Sequence, residues 1–130
     1  MKFLKTKNIS KSSNLEFNHT TKIGYSYKWY QIVKEIKGLM VINNYNYSPT
    51  TIKHYHKIDK LISMKYKNIV YLESPQGLQD LNSSVELYTS RIAKLEEELK
   101  NPRNRPMKNL QRQQLIELYK GKLDLIKSLQ

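Results

Sequence analysis

The strongest constraint on the fold is an apolar repeat in the last third of the chain. Its members are spaced four, three, four, three and four residues apart: Leu81, Val85, Tyr88, Ile92, Leu95 and Leu99. This heptad spacing predicts an amphipathic helix whose seam packs against a second helix. Ser83 and Glu86 have the spacing of a capping box, which favours a helix start at Ser83.

A second helix is predicted after a break that contains Pro102 and Pro106. Apolar residues then return at a helical period over a broader face: Leu115, Leu118, Tyr119, Leu125, Ile126 and Leu129. Two helices joined by a short loop make an antiparallel helical hairpin. We therefore predict such a hairpin for residues 76–130, and its seam is also suited to pair with a second copy in a homodimer.

The middle of the chain, residues 23–75, is predicted to be a small domain built from a β-hairpin, a helix and a further strand. Residues 23–34 alternate with a period of two, which is typical of a strand. Gly38 suits the turn into a second strand, because glycine readily adopts a positive φ. Residues 69–72 are apolar and predict a short third strand.

The helix of this domain is predicted to begin at Ser48 and Pro49, where serine caps free backbone N–H groups and proline fits the first turn. Its apolar stripe has a helical period: Ile52, Tyr55, Ile58 and Ile62. Lys53, Lys57 and Lys60 lie on the other face. The fold class is therefore α+β, with a small antiparallel sheet of two or three strands packed on one helix and followed by the C-terminal helical hairpin.

Charge is the main indication of function. The chain has 23 Lys and Arg residues against 11 Asp and Glu, a net charge of +12. Such an excess favours nucleic acid, or an acidic or ribonucleoprotein surface, as the partner. An AT-rich genome would also supply many lysines, but it does not account for the imbalance of sign. Residues 1–22 are polar and basic, and we expect a flexible arm that orders on nucleic acid or has no role.

The candidate nucleic-acid-binding residues are cations and exposed aromatic rings. They are Lys53, Lys57, Lys60, Lys100, Arg103, Arg105, Lys108, Arg112, Tyr30 and Tyr47. Lysines neutralise phosphates, arginines bind them in a bidentate manner, and rings stack on bases. Because Tyr25, Tyr27 and Trp29 are in phase on the predicted strand, we expect them to be buried. The arginine-rich segment has a second interpretation as an ordinary solvated loop.

Catalysis and cofactor binding are not expected. The chain has no cysteine and three histidines, so disulfides and thiolate metal sites are excluded. His54 and His56 would lie on different faces of a helix, which disfavours a shared metal ion. No nucleophile–base pair or glycine-rich phosphate loop emerges, and no apolar run approaches the roughly 20 residues that span a bilayer. We expect a non-enzymatic cytoplasmic protein with no cofactor, no metal and no membrane association.

The segment Tyr47-Ser48-Pro49-Thr50-Thr51-Ile52-Lys53-His54 resembles a motif in small uncharacterised bacteriophage proteins. There, an aromatic hairpin runs into a Tyr-Ser-x-Thr-Thr-x-Arg/Lys-His sequence that opens a helix. This chain departs from the motif at Pro49 and at Tyr55. The resemblance implies a phage or prophage origin. Ser48, Thr50 and Thr51 can cap the helix or help its N-terminus hold a phosphate.

Three functions follow as hypotheses. The first is a phage-type accessory protein that binds nucleic acid electrostatically. The second is a stoichiometric host-takeover or anti-defence inhibitor that binds a host protein or ribonucleoprotein through the helical hairpin. The third is a structural component of the virion.

Overall fold

The computed structural model describes residues 4–5, 9–12, 14–27 and 29–130, and it confirms the α+β class predicted from the sequence. The chain divides into two units, Met1–Ser83 and Ser84–Gln130. In the described part of the chain, no helix combines the length and apolar character needed to cross a membrane.

The described residues of the first unit form one seven-stranded sheet, larger than the two or three strands predicted. In chain order the strands are β1 (Leu4–Lys5), β2 (Ile9–Ser12), β3 (Leu15–Asn18), β4 (Ile23–Ser26), β5 (Tyr30–Ile36), β6 (Leu39–Asn43) and β7 (Ile69–Leu72). Each strand pairs with the next, antiparallel throughout except for the parallel pair β6–β7. A parallel pair needs a long crossover, and helix α1 (Pro49–Lys65) supplies it.

Strand β3 lies within the segment for which the sequence predicts a flexible arm. Leu15 and Phe17 on this strand are fully buried in the core. The Asn18 side-chain oxygen accepts hydrogen bonds from the backbone N–H groups of Thr20 and Thr21, which holds the turn into β4. Residues 4–5, 9–12 and 14–22 therefore belong to the sheet and its turns rather than to an arm. Residues 1–3, 6–8 and 13 lie outside the described residues, and there the basic arm stays a prediction.

The predicted strand over residues 23–34 is two strands, β4 and β5, joined by a turn. Tyr27 has a φ of 56°, a left-handed conformation that ends β4. The core-facing positions are the even-numbered ones, Gly24, Ser26, Tyr30 and Ile32, rather than the aromatic odd-numbered ones. A glycine is needed at position 24, because a Cβ on Gly24 would clash with the Val33 side chain. The prediction that the odd-numbered aromatic residues face the core is therefore wrong.

The turn between β5 and β6 forms as predicted. Ile36 pairs with Leu39, and the two residues between them have positive φ values, 49° at Lys37 and 84° at Gly38. Positive φ at both central residues defines a type I′ turn, which matches the twist of the flanking strands. The expected role of Gly38 is confirmed.

Helix α1 begins as predicted. The Ser48 side chain accepts a hydrogen bond from the Thr51 backbone N–H at 3.1 Å, and Pro49 occupies the first turn. Its buried stripe is Thr51, His54, Ile58 and Ile62, while Ile52 and Tyr55 are only partly buried. Ile58 and Ile62 pack into the core with Leu15 and Phe17 of β3, and burying each such side chain contributes about 1.5–3 kcal/mol.

The second unit confirms the predicted helical hairpin, formed by α2 (Leu81–Leu99) and α3 (Pro106–Leu129). The rings of Tyr88 and Tyr119 pack at 5.6 Å, and Arg112 Nε lies 3.2 Å from Glu98 Oε2. The predicted capping box is wrong. Ser83 lies inside the first turn of α2, where its hydroxyl donates to the Asp80 carbonyl oxygen at 2.7 Å.

Candidate nucleic-acid interface

Exposed aromatic rings surround the start of α1. Tyr27 and Trp29 lie in the turn between β4 and β5, and Tyr47 comes directly before the Ser48 cap. Their exposed fractions are 42%, 49% and 50%, far above those of core aromatic residues. The predicted exposure of Tyr47 is confirmed, and the predicted burial of Tyr27 and Trp29 is wrong. The physical reason is that both residues lie in the turn that interrupts the predicted strand, so the period of two does not set their burial.

Tyr30 is the buried residue on which the rings of Trp29 and Tyr47 pack. Its predicted exposure is wrong, because only 1% of its surface is accessible. Its hydroxyl donates to the Ser74 carbonyl oxygen at 2.9 Å and accepts from Asn43 Nδ2 at 3.1 Å. Burial raises the pKa of this hydroxyl to about 12. Tyr47 stacks on the Tyr30 ring at 4.8 Å, and Trp29 meets the Tyr30 and Tyr47 rings edge-on at 5.3 and 6.1 Å.

The backbone around Trp29 is held by Gln79. The Gln79 amide donates to the Trp29 carbonyl oxygen at 3.1 Å and accepts from the Gln31 backbone N–H at 3.1 Å. The Leu78 backbone N–H adds a third bond to the Gln31 carbonyl oxygen. An exposed ring is therefore attached to a well-fixed backbone.

His54 joins the aromatic turn to α1. It is 4% exposed, its Nδ1 lies 2.6 Å from Ser26 Oγ, and its ring lies 5.7 Å from that of Tyr27. Burial, and to a smaller extent the charge of Lys57, lower the pKa of the imidazole below its ordinary value. His54 thus links the end of β4 to α1 through Ser26, and its ring lies beside that of Tyr27. No cluster of three or more metal-ligating side chains occurs among the described residues.

The lysines predicted to bind phosphate share one face of α1. Lys53, Lys57 and Lys60 are one and two turns apart; Lys53 and Lys60 are exposed and Lys57 is partly buried. Lys53 and Lys57 line a shallow hollow of about 420 Å³ together with Thr50, His54 and His56. Only one acidic residue, Asp59, occurs between residues 49 and 65. It accepts a hydrogen bond from the Tyr71 hydroxyl at 2.7 Å.

The three hydroxyls predicted at the helix start have different environments. Ser48 and Thr51 bond to each other, since Ser48 Oγ donates to Thr51 Oγ1 at 3.0 Å while it accepts from the Thr51 backbone N–H. These two serve the cap. Thr50 is exposed and lines the hollow beside the lysines.

The remaining predicted cations are in the second unit, around the loop between α2 and α3. Lys100 pairs with Glu97 at 3.2 Å, and Arg112 with Glu98. Arg103, Arg105 and Lys108 are exposed. The basic residues predicted as one set thus form two groups on separate units.

We define the aromatic–lysine surface as Tyr27, Trp29, Tyr47, Lys53, Lys57 and Lys60. Sequence reasoning identified its lysines and Tyr47 but missed the exposure of Tyr27 and Trp29. The signal was present in Gly24 and Ser26, whose small side chains suit a face that is crowded by neighbouring residues.

The chain matches no protein-family model, no curated protein and no solved structure. The phage resemblance therefore stays a prediction.

Proposed function

We propose that the protein binds nucleic acid stoichiometrically, without catalysing a reaction, through the aromatic–lysine surface. The observation that carries this proposal is the grouping of half-exposed rings at the start of a helix whose outer face is lined with lysine. Rings and cations on neighbouring positions are the two elements that nucleic-acid grooves combine.

The electrostatics of α1 support the proposal. Its single acidic residue, Asp59, accepts a hydrogen bond from Tyr71, and the first turn of the helix has no acidic residue. From Lys53 to Lys60 the lysine face extends about 10 Å, at 1.5 Å per residue. A polyanion laid along this face meets three cations, and three neutralised phosphates give a slope of log K against log salt of about −2 to −3.

The direct test replaces the lysine face. In Lys53→Gln/Lys57→Gln/Lys60→Gln we expect affinity for a labelled oligonucleotide to fall at least about tenfold at 0.1 M salt, with a shallower salt slope. Fluorescence anisotropy measures both quantities. The matched control is Lys94→Gln/Lys120→Gln/Lys127→Gln, which removes the same charge from exposed positions of the second unit.

The control variant separates a local site from general attraction. We expect it to keep most of the affinity and the salt slope of the unchanged protein. Equal losses in the two triple variants would show that net charge alone attracts the polyanion. An affinity that hardly changes with salt would contradict the electrostatic proposal altogether.

A second candidate function rests on α3. Met107, Leu110 and Leu118 are 68%, 49% and 52% exposed and lie on one side of this helix. Exposed apolar side chains grouped in this way are typical of a protein-binding surface. This favours the alternative of an inhibitor that docks on a host protein. A partner captured from nuclease-treated host lysate and lost in Leu110→Ser/Leu118→Ser would support it.

A further inference from the structure

We infer that the aromatic–lysine surface selects single-stranded over double-stranded nucleic acid by stacking unpaired bases on Trp29 and Tyr47. This inference rests on the proposed function and adds the class of ligand. The chemistry that would be recognised is an unpaired base followed by a phosphate backbone, which single-stranded DNA and RNA share.

The rings can reach only unpaired bases. In a duplex the faces of each base are covered by the neighbouring base pairs, and only base edges are open in the grooves. About half of the surface of Trp29 and of Tyr47 is accessible. Exposed rings are sequence-tolerant platforms for unpaired bases, because every base has a π-face.

The rings are fixed before any ligand binds. Tyr47 is stacked on Tyr30 with an interplanar angle of 28°, and Trp29 stands nearly perpendicular to both, at 73° and 80°. Tyr30 is anchored by hydrogen bonds to Ser74 and Asn43, and Gln79 bonds to the Trp29 backbone. A surface ordered in advance loses less conformational entropy when it binds.

Along the chain, the ring that would stack on a base precedes the lysines that would contact phosphates. Tyr47 comes just before the cap of α1, and Lys53 follows about one turn into the helix. The lysine face then continues along α1 to Lys60. A single strand that stacks its first bases on the rings can therefore pass its backbone along the lysines.

The chain contains one tryptophan, so Trp29 fluorescence reports on this surface alone. We would titrate the full chain with oligothymidylate about 12 nucleotides long, within the usual site size of single-strand binders. Oligouridylate and a duplex of equal length serve as parallel ligands. We expect quenching of Trp29 by both single strands, and at least about tenfold tighter binding of a single strand than of the duplex at the same salt.

The matched variants are Tyr47→Leu and Tyr47→Phe. Leucine removes the platform, so single-strand affinity should fall about fivefold or more, while duplex affinity should hardly change. Phenylalanine keeps the ring and should keep the preference. Circular dichroism checks that both variants are folded. Quenching by only one of the two single strands would keep the inference and identify DNA or RNA as its ligand.

Two further outcomes have distinct meanings. Equal affinity for single strand and duplex, with unchanged Trp29 fluorescence, would overturn this inference, and the lysine variants would still test the proposed function. The absence of binding to any of the three ligands at low salt would overturn both.

Discussion

The two units carry their positive charge in different settings. In the first unit, Lys53 and Lys60 are exposed on a helix whose start is surrounded by aromatic rings. In the second, the loop between α2 and α3 contains Arg103 and Arg105, while Lys100 is paired with Glu97 and Arg112 of α3 with Glu98. The Lys100 pair is exposed and contributes little to stability, whereas the Arg112 pair is partly buried. Both pairs reduce the charge available to a ligand. Charge density alone therefore does not identify the better site.

The two units also differ in how much of their apolar surface is buried. The first unit has a continuous core in which strands and helix enclose fully buried side chains such as Ile32, Ile42 and Ile62. The hairpin of the second unit has one buried seam and leaves leucines of α3 exposed. We expect the first unit to provide a rigid platform and the hairpin to tolerate changes on its outer face.

The largest expected effect is on the core beneath the site. Ile62 is fully buried, so Ile62→Ala should lower the free energy of unfolding by about 2–5 kcal/mol through lost contacts and a cavity. Leu118→Ala, at a 52% exposed position, should change it by less than about 0.5 kcal/mol. Urea unfolding followed by circular dichroism measures both. Similar costs for the two substitutions would contradict the contrast between the units.

A smaller effect is expected at the start of α1. Ser48→Ala removes the oxygen that accepts from the Thr51 backbone N–H, and the loss of such a cap costs about 1 kcal/mol. Thr50→Ala removes an exposed hydroxyl at the same helix end and should cost less than about 0.5 kcal/mol. Thermal unfolding of the two variants makes the comparison. If Thr50→Ala proved the more costly, the assignment of the cap to Ser48 would be wrong.

The smallest expected effect is a pH dependence at His54. Its folded-state pKa is lowered, mainly by burial, so the folded state binds fewer protons than the unfolded chain. The stabilising contribution is complete above the unfolded pKa of about 6.5 and is lost as pH falls through the lower folded pKa. His54→Gln should flatten the fall in unfolding free energy below about pH 6.5. His56→Gln, at an exposed position, should leave that fall in place.

Helices were easier to predict than strands, for physical reasons. The hairpin repeats its apolar signal over six positions from Leu81 to Leu99, and α1 starts with the Ser48–Pro49 pair. Strand β3 has four residues, so Leu15 and Phe17 are its only inward-facing side chains. A signal from two residues is lost in a polar, basic segment.

The site shows the same limit. The inward face of β4 consists of Gly24 and Ser26, which a search for apolar alternation does not select. Their small size becomes meaningful only once Val33 and His54 are known to contact them. The helical period alone was enough to predict the lysine face of α1. Whether an aromatic ring is exposed depends on its tertiary neighbours, and the exposure of Trp29 was therefore not predicted.

The most direct test compares the cations of the two units in one experiment. Binding of a labelled single-stranded oligonucleotide would be measured for Lys53→Gln/Lys57→Gln/Lys60→Gln and for Arg103→Gln/Arg105→Gln/Lys108→Gln, which remove equal charge. We predict that the first variant loses at least about tenfold in affinity and the second only a small part of that. If the loop variant lost as much affinity or more, binding would not be centred on the aromatic–lysine surface.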